Sequence, residues 1–311
     1  MKGIPVHVLG RSVLTAAAIT TAVVALLTTQ TSAEPAGVAD ARSVAAPAAA
    51  PAAAPAAAPT TAPTAAARAP RVSSGRVFWA NAGAEHQAHP LRPARRARLL
   101  LGVMRHQRAE LGLLAESTAS QARAIRRASR GAFGAISGRR RGETNTVVYD
   151  ARAYRLERIV KLRSFSYHGR RMPLVAVVLR DRRTGARIGA TAVHHPSSET
   201  ARGAQGRWQR AAWRREMRAL RRLRSAYHGR ISTFLGGDFN DSSTCSMIAR
   251  TRLVSPVGTV SSCPTARTRI DQVFADRTVT FSDYRAMTKG IGRMTDHAGI
   301  YAATFEVRQP A

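Results

Sequence analysis

Apolar and polar positions alternate along residues 77–307 in two periods, and most of the short apolar runs stop on a polar residue. Val77 to Ala80 reads as a strand ending at Asn81. Pro93 to Arg108 places Leu99, Leu100, Val103 and Met104 on one side, the spacing of a helix. Leu111 to Ala115 is a buried strand ending at Glu116, and Ser117 to Ser129 a basic helix. Residues 131–143, rich in Gly and Arg, read as a connection. Strands follow at Thr146–Tyr149, Tyr154–Phe165, Leu174–Leu179 and Ile188–Val193, the last two separated by a turn at 181–185. Gln205 to Ser225 is a helix whose Trp213, Met217, Leu220 and Arg224 share one face. Ile231–Leu235, Ile270–Phe274, Val279–Phe281 and Ile300–Val307 complete the strands. Such a mixture predicts a sheet-rich α/β domain with helices packed outside.

The segment FLGGDFNDSS at 234–243 poses the sharpest local question. Strand side chains alternate faces. Asp238 and Asn240 then share one face, while Phe239 turns into packing. Gly236 and Gly237 let something approach the backbone. The competing reading is a polar turn after a buried strand, since Asp, Asn and Ser favour turns.

Residues before 71 do not read as part of that domain. Lys2 and Arg11 precede an apolar run from Ser12 to Thr29, and Thr31, Ser32 and Ala33 follow, which is the pattern of a secretory signal peptide over 1–33. A retained membrane anchor is the alternative. Residues 34–70, nearly all Ala and Pro, make a solvated linker. Residues 71–311 are the size of one domain.

The net charge is +31, from 49 basic and 18 acidic residues. Lysine occurs only at Lys2, Lys161 and Lys289. Base-composition bias can exchange Lys for Arg but does not create the excess. The excess favours a polyanionic partner, nucleic acid before an anionic cell envelope. Cys245 and Cys263 are the two cysteines. With an export signal a disulfide is the expectation, worth about 3 kcal/mol for a loop of that length.

The polar residues of interest sit at strand ends: Asn81, Glu116, His194, Asp238, Asn240, Asp271, Asp296 and His297. Individually each suits an ordinary loop. In this order, with the segments ELGLLAES (110–117), TAVHHP (191–196), GGDFN (236–240), RIDQVFA (269–275) and TDHAGI (295–300), they resemble the endonuclease/exonuclease/phosphatase superfamily of metal-dependent phosphodiesterases. The resemblance spans nearly the whole domain. It departs at Leu114-Ala115-Glu116, where the family usually has Gln before Glu, and at Trp79-Ala80-Asn81 in place of Tyr-Asn. It implies a four-layer α/β sandwich of two packed mixed sheets with outer helices and a site at one rim. It also implies Mg²⁺, or Mn²⁺ in its place, held mainly by Glu116 with Asn81 and Asp296 nearby. Asp238 would orient or deprotonate water, and Asn240 would donate to the phosphate. His297 would serve as acid/base or phosphate donor with its tautomer set by Asp271, and His194 would contact the phosphate from the other side. His195 then faces away as a structural or rim residue.

The chemistry agrees with these residue types: phosphodiester hydrolysis needs an activated water, neutralised phosphoryl charge and a helped leaving oxygen, and hard carboxylate oxygens suit such cations. The expected function is a secreted nuclease acting on DNA, or RNA, as a monomer. A phosphoesterase acting on a phospholipid headgroup or small phosphoester is the alternative, and a non-catalytic basic binding protein the third reading. The His86/His89 pair, the repeated YHGR at 167 and 227, and the arginine run at 139–141 suit ordinary solvated loops. The helix from 207 to 224 carries Trp208 and Trp213 among arginines; core tryptophans with a solvated arginine face is the first reading, and a basic–aromatic nucleic-acid surface the alternative.

Overall fold

Strand-forming runs that are apolar on both faces need cover on both sides, and the computed structural model supplies it with two sheets between helices. It describes residues 69–83, 91–138, 145–167, 170–195, 205–241, 244–257 and 270–310. The leader and nearly all of the linker, His86, His89 and residues 139–141 lie outside these. So does Cys263, and with it the expected pairing to Cys245.

The first sheet comprises β1 (Arg71–Asn81), β2 (Leu111–Ala115), β3 (Phe133–Ser137), β4 (Thr146–Asp150), β10 (Val279–Met287) and β11 (Ile300–Gln309), in the order β10-β11-β1-β2-β4-β3. The second runs β5 (Tyr154–Tyr167), β6 (Arg170–Asp181), β7 (Arg187–His194), β8 (Ser232–Asp238) and β9 (Asp271–Ala275), in that order. Two elements differ from expectation. β3 lies inside the 131–143 stretch that reads as a connection; the glycines of that stretch mask the strand, which forms because it pairs antiparallel with β4. A short helix, α4 (Thr244–Thr251), occupies a segment for which the sequence pattern predicts no element.

Side chains sort by alternation. Val77, Trp79, Leu111 and Leu113 point between the sheets, against Val177, Ile188, Ala190, Ala192, Phe234 and Val273. Phe78, Ala80 and Leu114 point outward, under α1 (Pro93–His106) and α2 (Ala119–Ala128). On the far face, α3 (Gln205–Ala226) and α4 cover Val193, Leu235 and Phe274 with Trp213, Leu220, Met247 and Ile248. The layers are therefore helix, sheet, sheet, helix, as expected.

Register delivers the polar strand ends to one rim. β1 and β2 are parallel, with Asn81 opposite Ala115, so Asn81 and Glu116 leave the sheet together. β7 and β8 are parallel, with His194 opposite Asp238. β9 and β11 run antiparallel to β8 and β1, so their starts, Asp271 and the loop before Ile300, arrive at the same rim.

The two glycines before Asp238 admit protein rather than ligand. A Cβ on Gly236 would lie 2.5 Å from Leu113 Cδ1 of the facing sheet. Gly237 has φ +136° and a Cβ there would collide with the Val193 carbonyl of β7. Gly237→Ala is therefore expected to cost about 3 kcal/mol in urea unfolding, combining backbone strain with a clash against main chain. An unchanged midpoint would show that this strand pair has slack.

Candidate active site

Asn81 is held by buried polar support behind it. The fully buried Arg96 of α1 donates to the carbonyls of Ala82 (3.3 Å), Gly83 (2.7 Å) and Leu91 (2.9 Å). Gln121 of α2 donates to Ala82 O at 3.1 Å. A buried guanidinium is costly unless its donors are met; here it fastens the turn leaving β1. The Gly83 amide then donates to Asn81 Oδ1 at 2.8 Å. That turns the Asn81 Nδ2 toward the rim, 2.9 Å from Glu116 Oε1 and 2.9 Å from His297 Nε2. Asn81 faces the cluster with its amide donor, not with the oxygen that a cation would take.

Glu116, directly after β2, is buried and has φ +48°, a left-handed conformation uncommon outside Gly and Asn. The turn swings its carboxylate inward, where Oε1 lies 3.6 Å from His194 Nε2. His194 Nε2 is also 3.5 Å from Asp238 Oδ2.

Asp238 and Asn240 do come together, but by a turn rather than by strand alternation. β8 ends at Asp238, and Asn240 has φ +47°. The Asn240 backbone amide donates to Asp238 Oδ1 at 2.8 Å, an Asx-type turn. Its Nδ2 lies 3.3 Å from Asp238 Oδ2 and donates to the His195 carbonyl at 2.8 Å. Phe239 is fully buried against Trp213 and Phe274, as the alternation predicts.

His195 faces the other way, as expected, yet it braces the site. Its ring Nε2 is 3.0 Å from both Glu216 oxygens, with both side chains buried. Its main chain brackets the turn, donating to Asp238 O at 2.8 Å and accepting from Asn240. Sequence reasoning missed Glu216, although a signal existed: it is the sole acid on an arginine-rich helix. Arg96 was missed as well, and nothing in its local pattern distinguishes it.

His297 Nδ1 is 2.7 Å from Asp271 Oδ2, and its Nε2 is 3.7 Å from Asp238 Oδ2. Burial works against its charge, but the Asp271 hydrogen bond and the charges of Asp271, Asp238 and Asp296 prevail and raise its pKa to about 9. Burial pushes Asp271 up to about 6, against the pull of His297. Between these values the pair is imidazolium and carboxylate, with Nδ1–H donating to Asp271. Asp271 Oδ1 is buried with no hydrogen-bond partner among the described residues. Asp296 is exposed; its charge reaches His297, but it is outside the clusters below.

Glu116, His194 and Asp238 each offer a ligand atom, and these lie within 4.8 Å of one another; so do those of Asp238, Asp271 and His297. The first cluster fits a hard divalent cation better. Neither of its carboxylates is hydrogen-bonded to His297 as Asp271 is at 2.7 Å, Asp238 lying 3.7 Å from that ring, and carboxylate oxygens are the preferred donors. The structure brings together Asn81, Glu116, His194, Asp238, Asn240, Asp271 and His297.

No family model matches the chain, and no curated protein does. Solved structures do. An endonuclease/exonuclease/phosphatase family protein from Bacteroides thetaiotaomicron superposes with TM-score 0.61 at 13% identity, covering 77% of this chain and 97% of that one. The catalytic domain of human Nocturnin, with bound sulfate, gives 0.58 at 15%, covering 76% and 96%. TDP2 from D. rerio, complexed with a single-strand DNA product, gives 0.53 at 14%, covering 75% and 99%. Two facing mixed sheets, helices outside and a polar cluster at one rim together make this the fold of the endonuclease/exonuclease/phosphatase superfamily.

Proposed function

We propose that this chain is a secreted, divalent-metal-dependent phosphodiesterase that hydrolyses polynucleotides, DNA before RNA. The observation that carries the proposal is the convergence of seven polar side chains, from β1, β7, β8, β9 and the segments holding Glu116, Asn240 and His297, each within hydrogen-bonding or ion-pair reach of another. No packing requirement explains so many buried polar groups at one rim. The charge of +31 supports a polyanionic substrate, and the TDP2 relative carries a DNA product.

Glu116 and Asp238 would hold the cation, which supplies charge neutralisation at the phosphoryl oxygens and at the leaving oxygen. Asp238 is the base that takes the proton from the attacking water. His297, with Nδ1 held by Asp271, works through Nε2: the neutral ring accepts the Asn81 amide hydrogen there, and the protonated ring, which its acidic neighbours favour, donates to the substrate. Its Nε2 faces Asn81 and Asp238, where a phosphoryl oxygen would lie. Asn240 has one N–H held by His195 O, and the other is directed to the Asp238 side as a second donor. His194 closes the opposite wall. Water forms the new P–O bond, and the bond to the sugar oxygen breaks.

Supercoiled plasmid is the direct test. The full chain should nick it with Mg²⁺ or Mn²⁺ and stop on adding EDTA; no cleavage with either ion would overturn the proposal. A mannosyl-6-phosphatase from Bacteroides thetaiotaomicron shares the fold at TM-score 0.54, so a small sugar phosphate and sphingomyelin belong in the same assay. Turnover of these with plasmid left intact would move the substrate to the alternative class.

A further inference from the structure

The outer face of α3 carries a charge pattern that the site chemistry does not use. Arg210, Arg214, Arg218 and Arg222 are four residues apart and all exposed, flanked by exposed Arg207 and Arg221. Residues at i and i+4 are neighbours on a helix surface, so the four form one stripe. None of them pairs with a carboxylate among the described residues. The helix's sole acid, Glu216, is turned inward onto His195. Like charges at this spacing each cost a free helix about 0.2–0.5 kcal/mol, and the helix tolerates three consecutive repulsions with no compensating acid. An external polyanion would remove them.

Position gives the stripe meaning. Gln209, adjacent to Arg210, donates to the Asn240 carbonyl at 3.0 Å. The stripe therefore begins beside the turn that carries Asp238 and Asn240 and leads away along the helix. From Arg210 to Arg222 it extends about 18 Å at 1.5 Å per residue, with successive arginines about 6 Å apart along it, so each can meet a separate phosphate. The arginines of α1 and α2, by contrast, lie on the opposite outer layer, over the other sheet.

We infer that the α3 arginine stripe is a docking track for the phosphate backbone of a single polynucleotide strand extending from the scissile phosphate. The inference rests on the proposed function and adds to it where the uncleaved part of the substrate lies. The track reads no bases, since backbone contacts position a strand without specifying sequence.

The test compares two matched variants of the full chain, each losing four charges. One is Arg210→Gln/Arg214→Gln/Arg218→Gln/Arg222→Gln. The other, on the opposite layer, is Arg98→Gln/Arg105→Gln/Arg123→Gln/Arg127→Gln. Binding of labelled single-stranded 4-mers and 20-mers is measured in EDTA across a salt series. Each lost phosphate contact flattens the salt slope by about 0.7 for single strands. The track variant should therefore lose about 3 from the slope for the 20-mer and less than 1 for the 4-mer, with the opposite-layer variant changing neither by more than 1. The track variant should melt no lower than the parent, because it removes repulsion. Equal losses in both variants would reduce the stripe to general surface charge and overturn the track. So would lost binding to anionic vesicles with 20-mer binding intact, which would make α3 an envelope contact. Plasmid nicking by the parent separates the two claims. Nicking with an unaltered slope in the track variant refutes the track alone, and a flattened slope without nicking refutes the reading of the site.

Discussion

Asp238→Asn is expected to lower hydrolysis by about 10²–10⁴-fold, the contribution of a positioned base, while leaving the fold intact. The side chain has two separate duties, one per oxygen. Oδ1 accepts the Asn240 amide and shapes the turn, and an asparagine oxygen can do the same. Oδ2 faces His194, His297 and the Asn240 amide group at 3.5, 3.7 and 3.3 Å. Replacing it with NH₂ removes both the proton acceptor and a cation ligand. Steady-state rates on plasmid, with circular dichroism melting as the control, decide the matter. A variant retaining more than about a tenth of parent activity would remove Asp238 from the reaction.

The second large effect belongs to the Asp271–His297 pair. His297→Ala removes the donor outright and should cost about 10²–10⁴-fold. Asp271→Asn should cost less, about 10–100-fold, as a partner that acts through the ring it orients. It also has a signature that a purely structural role lacks. With the carboxylate gone, the main cause holding His297 near 9 disappears, and its titration followed by NMR in the metal-free protein should move down toward 6.5. The sign for stability follows. Because His297 is raised on folding, its contribution is complete below pH 6.5 and is lost as pH rises through about 9. In Asp271→Asn, where the ring titrates near its unfolded value, that alkaline loss should largely disappear. An unmoved titration would mean that the 2.7 Å contact does not set the state of the ring.

Much of the fold was legible because its elements carry strong local periods. β1, β2, β4, β7, β8 and β11 are apolar runs bounded by polar residues, and α1 and α3 show helical spacing. β3 was hidden because glycine-rich composition gives no strand signal, and only the pairing with β4 makes it one. α4 was hidden because eight residues of mixed polarity have too little period to register. At the site, Asp238 and Asn240 were paired for an incomplete reason: alternation places them on one face, but the strand stops at Asp238 and a left-handed turn brings Asn240 back. Asn81 meets the cluster through its amide hydrogens because the Gly83 backbone amide holds its oxygen.

By itself the sequence determined the residue types and their order: which runs must be buried, which polar groups end them, and how large a positive charge any partner meets. Those follow from side-chain chemistry and from periods of two and 3.6, which are local properties. Only the tertiary structure decided which strands are parallel, and so that Asn81, Glu116, His194 and Asp238 leave two sheets at a common rim. It also decided that Arg96 and Glu216 brace that rim from outer helices, and that the arginines of α3 start beside it. These are long-range facts, set by strand register and by how two sheets pack, and no window of neighbouring residues encodes them.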